Sequence, residues 1–162
     1  MIYLDNAATT RVCPEAAEIA YKMMTETFGN PSSTHQVGRE AAAALKKARK
    51  QVADALGCMP EEIYFTSCGS EADNWAIVRG AESMSRKGKH VITSTVEHDA
   101  VRESMKELER RGYEVTWLSP DETGAVPVSS VAAALRPDTI LVSLMLVNNE
   151  TGAITDIPGI SK

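Results

Sequence analysis

Cysteine is scarce in this sequence and follows no pattern. Cys13, Cys58 and Cys68 are the three cysteines in 162 residues, and no Cys-x-x-Cys pair occurs. An odd number of scattered thiols argues against a disulfide framework and against a cysteine-bound metal centre. We therefore expect reduced thiols, no metal ligands and a cytoplasmic protein.

Long apolar runs and an excess of positive charge are also missing. No run approaches the ~20 apolar residues of a membrane-spanning helix. The first residues reach Asp5 without the basic start and apolar stretch of a signal peptide. The 17 basic residues are outnumbered by 22 acidic ones, which gives a net charge of −5. Neither a membrane nor a nucleic acid is therefore expected as a partner.

The glycine patterns of nucleotide-binding proteins are absent as well. Gly69-Ser70 is not part of a Walker loop, since no Gly-Lys-Ser/Thr follows, and no Gly-x-Gly-x-x-Gly fingerprint occurs. Internal repeats and low-complexity segments are missing too. Nucleotide binding thus has no support from the sequence.

The sequence does contain a regular alternation of helix and strand patterns. Two helices come first, one starting at Pro14 and one running from Val37 to Leu56. We expect Met23 and Met24 of the first helix to fill a core, and His35 to cap a helix or lie at the surface. Four strands separated by helices follow, at residues 63–65, 90–94, 113–118 and 139–146. This order predicts an α/β fold with a mainly parallel sheet flanked by helices.

The stretch from Tyr64 to Asn74 joins the first predicted strand to a helix. Small residues from Ser67 to Ser70 make the turn, and Ser70 with Asp73 has the spacing of a capping box. The unpaired N–H groups and the positive end of such a helix suit a phosphate group. The alternative is an ordinary strand, turn and capped helix without a ligand.

Two further polar segments follow predicted strands. Glu97-His98 comes after the second strand and Asn148-Asn149 after the fourth. Parallel strands end on the same side of a sheet, where the ligands of such folds bind. A phosphate cradle, an imidazole and a carboxamide would then converge on one phosphorylated ligand. Each signal alone is weak, because a single histidine after a strand is more often a helix cap than a catalyst.

The chain also carries five longer motifs in one order: Tyr3 to Thr10, Phe28 to Ser33 with His35, Phe65 to Asn74, Thr93-Ser94 with Glu97-His98, and Val147 to Gly152. With these motifs it resembles the N-terminal part of NifS/IscS-type cysteine desulfurases, which are pyridoxal-phosphate (PLP) enzymes of the class V aminotransferase family. The resemblance implies the large domain of the aspartate-aminotransferase fold. It also implies transfer of sulfur from L-cysteine, which yields L-alanine and an enzyme cysteine persulfide. The implied domains are an N-terminal arm with the first helix, residues 1–36, and an incomplete PLP-binding large domain, residues 37–162.

Position by position, the resemblance implies roles for four residues. Gly69 and Ser70 match residues that bind the phosphate of PLP. His98 matches the histidine that stacks on the cofactor ring and is proposed as a catalytic acid or base. Asn149 matches the asparagine that hydrogen-bonds the ring hydroxyl. Cys68 stands where a glycine is more usual, and we expect a mild effect because cysteine is small.

The matched motifs do not include the residues that carry the family's main catalytic steps. No residue matches the aspartate that pairs with the pyridine nitrogen, the Schiff-base lysine or the nucleophilic cysteine, and Lys162 does not stand in the lysine motif. We therefore expect the chain alone to be inactive. A non-catalytic or split-enzyme module completed by a partner chain stays open, as does a sister PLP enzyme such as selenocysteine lyase. The resemblance implies a homo-oligomer or a complementing C-terminal chain, and sulfur-acceptor proteins such as those of iron–sulfur cluster assembly.

Overall fold

The computed structural model describes residues 2–162, which form two compact units divided after Phe65. The first unit contains two helices, α1 (Pro14–Thr25) and α2 (Gln36–Leu56), and a 3₁₀ turn (Pro60–Glu62). The predicted domain boundary after residue 36 is a different division and stays a prediction; Met1 of the predicted arm lies outside the described residues. No helix within residues 2–162 is both long and apolar enough to cross a membrane.

Local sequence signals account for both ends of α2. The Gly38 backbone N–H donates a hydrogen bond to His35 Nδ1 at 3.3 Å, so His35 is a helix cap, as expected. At the other end Gly57 adopts a φ of 70°, a left-handed conformation that favours glycine and closes the helix. Gly38 is also required, because an added Cβ would collide with the carbonyl oxygen of Ser33.

The prediction that the methionines of α1 fill a core is wrong. None of the residues of α1 is buried, and Met24 is 70% exposed. The apolar spacing along α1 correctly predicted a helix. A helical side chain becomes core, however, only when another element packs against it, and this packing is not encoded in the spacing.

The predicted strand at residues 63–65 is also wrong. These residues are not part of the sheet, and Tyr64 and Phe65 are 68% and 49% exposed. The Phe65 ring instead lies against the Arg49 guanidinium, 5.2 Å from the ring centre. β-Branched and aromatic residues favour a strand, but a strand also needs a neighbour that completes its hydrogen-bond ladder.

The second unit, which begins at Thr66, contains a three-stranded parallel sheet with helices packed on it. The strands are β1 (His90–Ser94), β2 (Glu114–Leu118) and β3 (Thr139–Val142), and their order is β2-β1-β3 with both pairings parallel. The helices are α3 (Gly69–Asn74), a π-helical turn (Trp75–Arg79) that continues into α4 (Gly80–Met84), α5 (Asp99–Arg110), α6 (Val128–Ala134) and α7 (Ile157–Ile160). The predicted α/β class with a parallel sheet flanked by helices is confirmed.

The third strand of the sheet is shorter than its sequence suggested. The apolar run extends to residue 146, but β3 ends at Val142, where its ladder with β1 pairs Ile92 with Val142. Ser143 donates one more backbone hydrogen bond to Ile92, and beyond it the chain leaves the ladder and leads to the polar turn after Val147. This early end matters for the candidate site, because it frees residues 144–151 to contact the loop after β1.

The middle strand β1 is the centre of the core of this unit. All five of its residues are buried. Val91 belongs to one apolar cluster with side chains from the neighbouring helices and the start of β2: Ile77, Val78, Ala81, Val101, Met105, Leu108 and Tyr113. Because side chains alternate along a strand, His90, Ile92 and Ser94 point to the other face. Burial on both faces is typical of a central parallel strand.

A buried histidine joins the three strands near their amino ends. His90 opens β1 and is fully buried. Its Nδ1 lies 2.7 Å from Thr139 Oγ1 on β3, and its Nε2 lies 2.8 Å from Thr116 Oγ1 on β2. Both ring nitrogens are therefore satisfied inside the protein, which offsets the cost of burying them.

Acidification is expected to weaken this unit through His90. Burial first, and then the positive charge of Arg136, lower the pKa of His90 below its ordinary value of 6.5, although Asp138 and Glu114 act in the opposite direction. The unfolded chain therefore takes up a proton first. This contribution to stability is complete above about pH 6.5 and is lost as the pH falls toward the folded-state pKa.

A His90→Gln variant, neutral at every pH, tests this expectation. Its free energy of unfolding, measured by urea titration, should fall less between about pH 7 and about pH 5 than that of the wild type. An equal fall in the two proteins would contradict the role assigned to His90.

Candidate functional site

The loop after β1 contains a buried carboxylate next to the predicted catalytic histidine. Glu97 is 6% exposed, and its Oε1 accepts hydrogen bonds from Ser94 Oγ at 2.7 Å and from the Met145 backbone N–H at 3.0 Å. Burial raises the pKa of Glu97, the two hydrogen bonds oppose that rise, and the nearby charge of Asp73 adds to it. The Glu97 carboxylate thus connects the end of β1 with the segment that follows β3.

His98 follows directly and is the cap of α5. Its Nδ1 accepts a hydrogen bond from the Ala100 backbone N–H at 3.1 Å, and the residue is exposed. In the neutral imidazole the proton is therefore on Nε2, since Nδ1 acts as an acceptor. The structure thus confirms the capping role that the sequence allowed for. Capping also holds the ring in one orientation, which is compatible with a ligand on its exposed side.

The loop after β3 is organised by Asn148, which is 8% exposed. Its Nδ2 donates to the Val96 carbonyl oxygen at 2.9 Å. Its Oδ1 accepts from the backbone N–H groups of Glu150 at 3.0 Å and Thr151 at 2.9 Å, and from Thr151 Oγ1 at 3.1 Å. A buried carboxamide thus shapes this turn and ties it to the loop before His98.

Asn149, the predicted ring-binding residue, is exposed beside this buried neighbour. Its Nδ2 donates a hydrogen bond to Glu150 Oε1 at 3.0 Å. Since Asn148 bonds to Val96 and Glu97 bonds to Met145, the loops that carry His98 and Asn149 are joined at the carboxyl edge of the sheet. The convergence expected from parallel strands is therefore observed for these two loops.

The predicted phosphate-binding residues begin α3, but the expected capping box is not formed. Cys68 is the N-cap, so Gly69 and Ser70 are the first helical residues. Glu71 takes the part assigned to Asp73: its Oε2 accepts from the Ser67 backbone N–H and from Ser67 Oγ, both at 2.7 Å. The helix therefore starts two residues earlier than the Ser70-x-x-Asp73 spacing implied, with Cys68 in place of Ser70 as the N-cap.

The exposed thiol of Cys68 lies at the amino end of this helix. Hydrogen bonding from the Glu71 backbone N–H first, and then from the Ser67 hydroxyl, lowers the pKa of Cys68. The thiol thus shares the positive helix end with the predicted phosphate-binding residues.

The start of α3 lies beside the start of α5. The two helices pack together, and Asn74 Nδ2 donates to Ser104 Oγ at 3.2 Å. Of the predicted site residues, His98 and Asn149 lie on loops that are joined by hydrogen bonds. Gly69 and Ser70 begin a helix that packs against α5, which His98 caps.

Two buried residues that organise this edge, Glu97 and Asn148, stand out in the sequence only as neighbours of His98 and Asn149. A signal was available for Glu97, because Ser94 precedes it by three residues and a short polar pair after an apolar strand is typical of a local hydrogen bond. No such signal pointed to the bond between Asn148 and Val96, which joins residues 52 positions apart.

Comparisons with known proteins agree with these features. The sequence pattern of the family described as aminotransferase class-V matches residues 2–162. The cysteine desulfurase IscS of Methanosarcina thermophila is 48% identical over 161 residues, which cover 99% of this chain and 40% of that protein. The cysteine desulfurase IscS of Shewanella halifaxensis is 51% identical over 164 residues, 99% of this chain and 41% of that protein. The chain thus spans about 40% of the length of the curated relatives it matches.

Solved structures extend the similarity to the fold. A NifS-like protein superposes with a TM-score of 0.94 at 39% identity, over 99% of this chain and 44% of that protein. A structure described as SspA in complex with cysteine gives a TM-score of 0.90 at 39% identity, over 98% of this chain and 46% of that protein. On the strength of the family pattern that spans nearly all of its residues, the chain belongs to the aminotransferase class-V family.

Proposed function

We propose that this chain is the cofactor-holding part of a PLP-dependent cysteine desulfurase. Gly69, Ser70, His98 and Asn149 would contact the cofactor, and His98 would act as the catalytic acid or base. The observation that carries the proposal is the hydrogen-bonded connection between the loops of His98 and Asn149 at the carboxyl edge of the sheet. Identities of 48% and 51% to IscS cysteine desulfurases support the reaction class.

The start of α3 fits the phosphate of PLP. A Cβ added to Gly69 would meet nothing within 4 Å, so a ligand can approach the backbone there. Ser70 is exposed and offers a hydroxyl, and the first N–H groups of the helix with its positive end attract an anion. The nearby carboxylate of Glu71 accepts two hydrogen bonds from Ser67. This limits how far it competes with a phosphate for the N–H groups at the start of α3.

His98 and Asn149 fit the ring of PLP. The imidazole of His98 is a flat aromatic group, and because the Ala100 N–H holds Nδ1, Nε2 is the nitrogen that would exchange a proton with a ligand. The exposed carboxamide of Asn149 can exchange its bond to Glu150 for one to a ring oxygen. When bound, PLP supplies the electron sink for the bonds broken at the amino-bearing carbon of the substrate.

L-Cysteine is the proposed substrate, and L-alanine and a protein persulfide are the proposed products of the complete enzyme. Sulfur transfer needs a thiolate nucleophile, and none of the three cysteines here matches the family's nucleophile, so we propose that the 162 residues alone are inactive. A complementing C-terminal chain would supply the missing groups, a homo-oligomer is the proposed assembly, and sulfur-acceptor proteins would receive the sulfur. Exposed apolar side chains on α1, among them Ile19, Tyr21 and Met24, favour such association. Three free thiols agree with a cytoplasmic location.

Cofactor binding to the purified chain tests the proposal. PLP forms imines with any exposed lysine amine, so pyridoxamine 5′-phosphate, which has no aldehyde, is the better primary probe. We expect saturable binding by fluorescence and a raised melting temperature. In a Ser70→Ala/His98→Ala double variant the affinity should fall at least about tenfold, because a phosphate hydrogen bond and a ring contact are both lost.

A Ser129→Ala variant is the matched control, because Ser129 is an exposed helical serine in the same unit. Its affinity should equal that of the wild type. Equal affinity in the wild type and the double variant would contradict the assigned site. Absence of saturable binding to the wild type would contradict the claim that these residues hold the cofactor.

A further inference from the structure

We propose that Glu97 is a positioning residue that holds the His98 loop and the Asn149 loop in register for one ligand ring. The inference rests on the proposed function and deepens it, since it explains how two separate loops present one ring-binding surface. Glu97 itself is buried, and its carboxylate accepts hydrogen bonds from Ser94 and Met145 inside the protein. Asn148 acts with it. The loop clasp is defined here as two hydrogen bonds, one donated by the Met145 N–H to Glu97 Oε1 and one donated by Asn148 Nδ2 to the Val96 carbonyl oxygen.

The clasp is needed because the sheet does not continue to the site. The ladder between β1 and β3 ends with Ile92 and Val142, and one further backbone bond joins the Ser143 N–H to the Ile92 carbonyl oxygen. Within residues 2–162, the hydrogen bonds between residues 95–98 and residues 144–151 are the two of the clasp. Side chains thus replace the ladder at the point where ligand-binding residues leave the strands.

The two hydrogen bonds of Glu97 require a side chain of glutamate length. One oxygen, Oε1, accepts from both Ser94 Oγ at 2.7 Å and the Met145 N–H at 3.0 Å. The first bond fixes the carboxylate to its own strand, and the second extends it to the other loop. A shorter side chain cannot make both bonds, whereas glutamine presents an oxygen at the same position.

The surroundings of Glu97 indicate that the length of its side chain, rather than its negative charge, holds the two loops together. The group is buried and close to the like charge of Asp73, both of which disfavour its ionised form. A neutral acceptor of the same length would avoid both costs and keep both bonds. The inference therefore separates two variants: Glu97→Asp keeps the charge and shortens the reach, and Glu97→Gln keeps the reach and removes the charge.

The first measurement compares two probes on the full chain. Glu97→Asp should bind pyridoxamine 5′-phosphate roughly tenfold more weakly than the wild type, because His98 and Asn149 are no longer held together. Its affinity for inorganic phosphate, followed by phosphorus NMR, should stay within about twofold, since phosphate needs only the start of α3. Glu97→Gln should match the wild type within about threefold for both probes.

The second measurement needs no cofactor. Amide hydrogen exchange of the free chain should be faster at residues 95–98 and 145–151 in Glu97→Asp, and unchanged there in Glu97→Gln. Exchange in β1 and α5 should be the same in all three proteins. This local pattern is not expected from a variant that merely lowers global stability.

Three results would overturn the positioning role. One is a Glu97→Gln variant as weak as Glu97→Asp, which would mean that charge is used. Another is an equal loss of affinity for both probes in Glu97→Asp, which would indicate general destabilisation. The last is unchanged exchange at both loops in Glu97→Asp. If the wild type binds neither probe, the proposed function fails, and the exchange pattern still decides whether the clasp exists.

Discussion

An Asn148→Ala variant is expected to lose about 2–3 kcal/mol of free energy of unfolding, measured by urea titration. The buried carboxamide makes five hydrogen bonds: its Nδ2 donates to the Val96 carbonyl oxygen and to Met145 Sδ, and its Oδ1 accepts three from Glu150 and Thr151. Alanine removes all five, and the partner groups in this half-buried turn are left without those hydrogen bonds. The turn after β3 should loosen, so the affinity for pyridoxamine 5′-phosphate should fall as well.

Asn149→Ala is the matched control for this prediction. Asn149 is the same residue type, one position along the chain, but it is exposed and its carboxamide donates a hydrogen bond to its neighbour Glu150. Its free energy of unfolding should change by less than about 0.5 kcal/mol, while the affinity for pyridoxamine 5′-phosphate should fall. A large stability loss in Asn149→Ala, or no stability loss in Asn148→Ala, would contradict the structural role assigned to Asn148.

Leu108→Ala is expected to have an equal or larger effect on stability, about 2–5 kcal/mol. Leu108 lies on α5, is fully buried and packs in the apolar cluster with Val91 and Met105. Alanine leaves a cavity between α5 and the sheet, and the close packing of the cluster limits how far its neighbours can collapse into it. Thermal and urea unfolding followed by circular dichroism would measure the loss.

Leu135→Ala is the matched control, because it makes the same leucine-to-alanine change at an exposed position. Leu135 follows α6 and is 53% exposed, so the same truncation removes few contacts. Its effect should stay below about 1 kcal/mol. A loss in Leu108→Ala no larger than that in Leu135→Ala would mean that the cluster around Val91 does not stabilise the second unit.

Much of the secondary structure follows from patterns within single segments. The apolar spacing from Val37 to Leu56 predicted α2, and Gly57 predicted its end. The stretch at residues 90–94, with three β-branched residues in a row, was predicted as a strand, and β1 has these bounds. These predictions succeed because helix and strand periods, caps and left-handed glycines are set by neighbouring residues. The polar segments after the strands pointed to the site for a related reason, since parallel strands must end on one side.

Packing between distant segments was not readable in this way. The helix pattern of α1 did not reveal that Met24 is exposed, and the residues of 63–65 favour a strand that does not form. Whether a side chain is buried, or an extended segment joins a sheet, depends on partners that lie far along the chain. The same reason explains why Glu97 and Asn148 went without a role. Their bonds to Met145 and Val96 join residues about 50 positions apart, and it is folding of the sheet that brings those residues together.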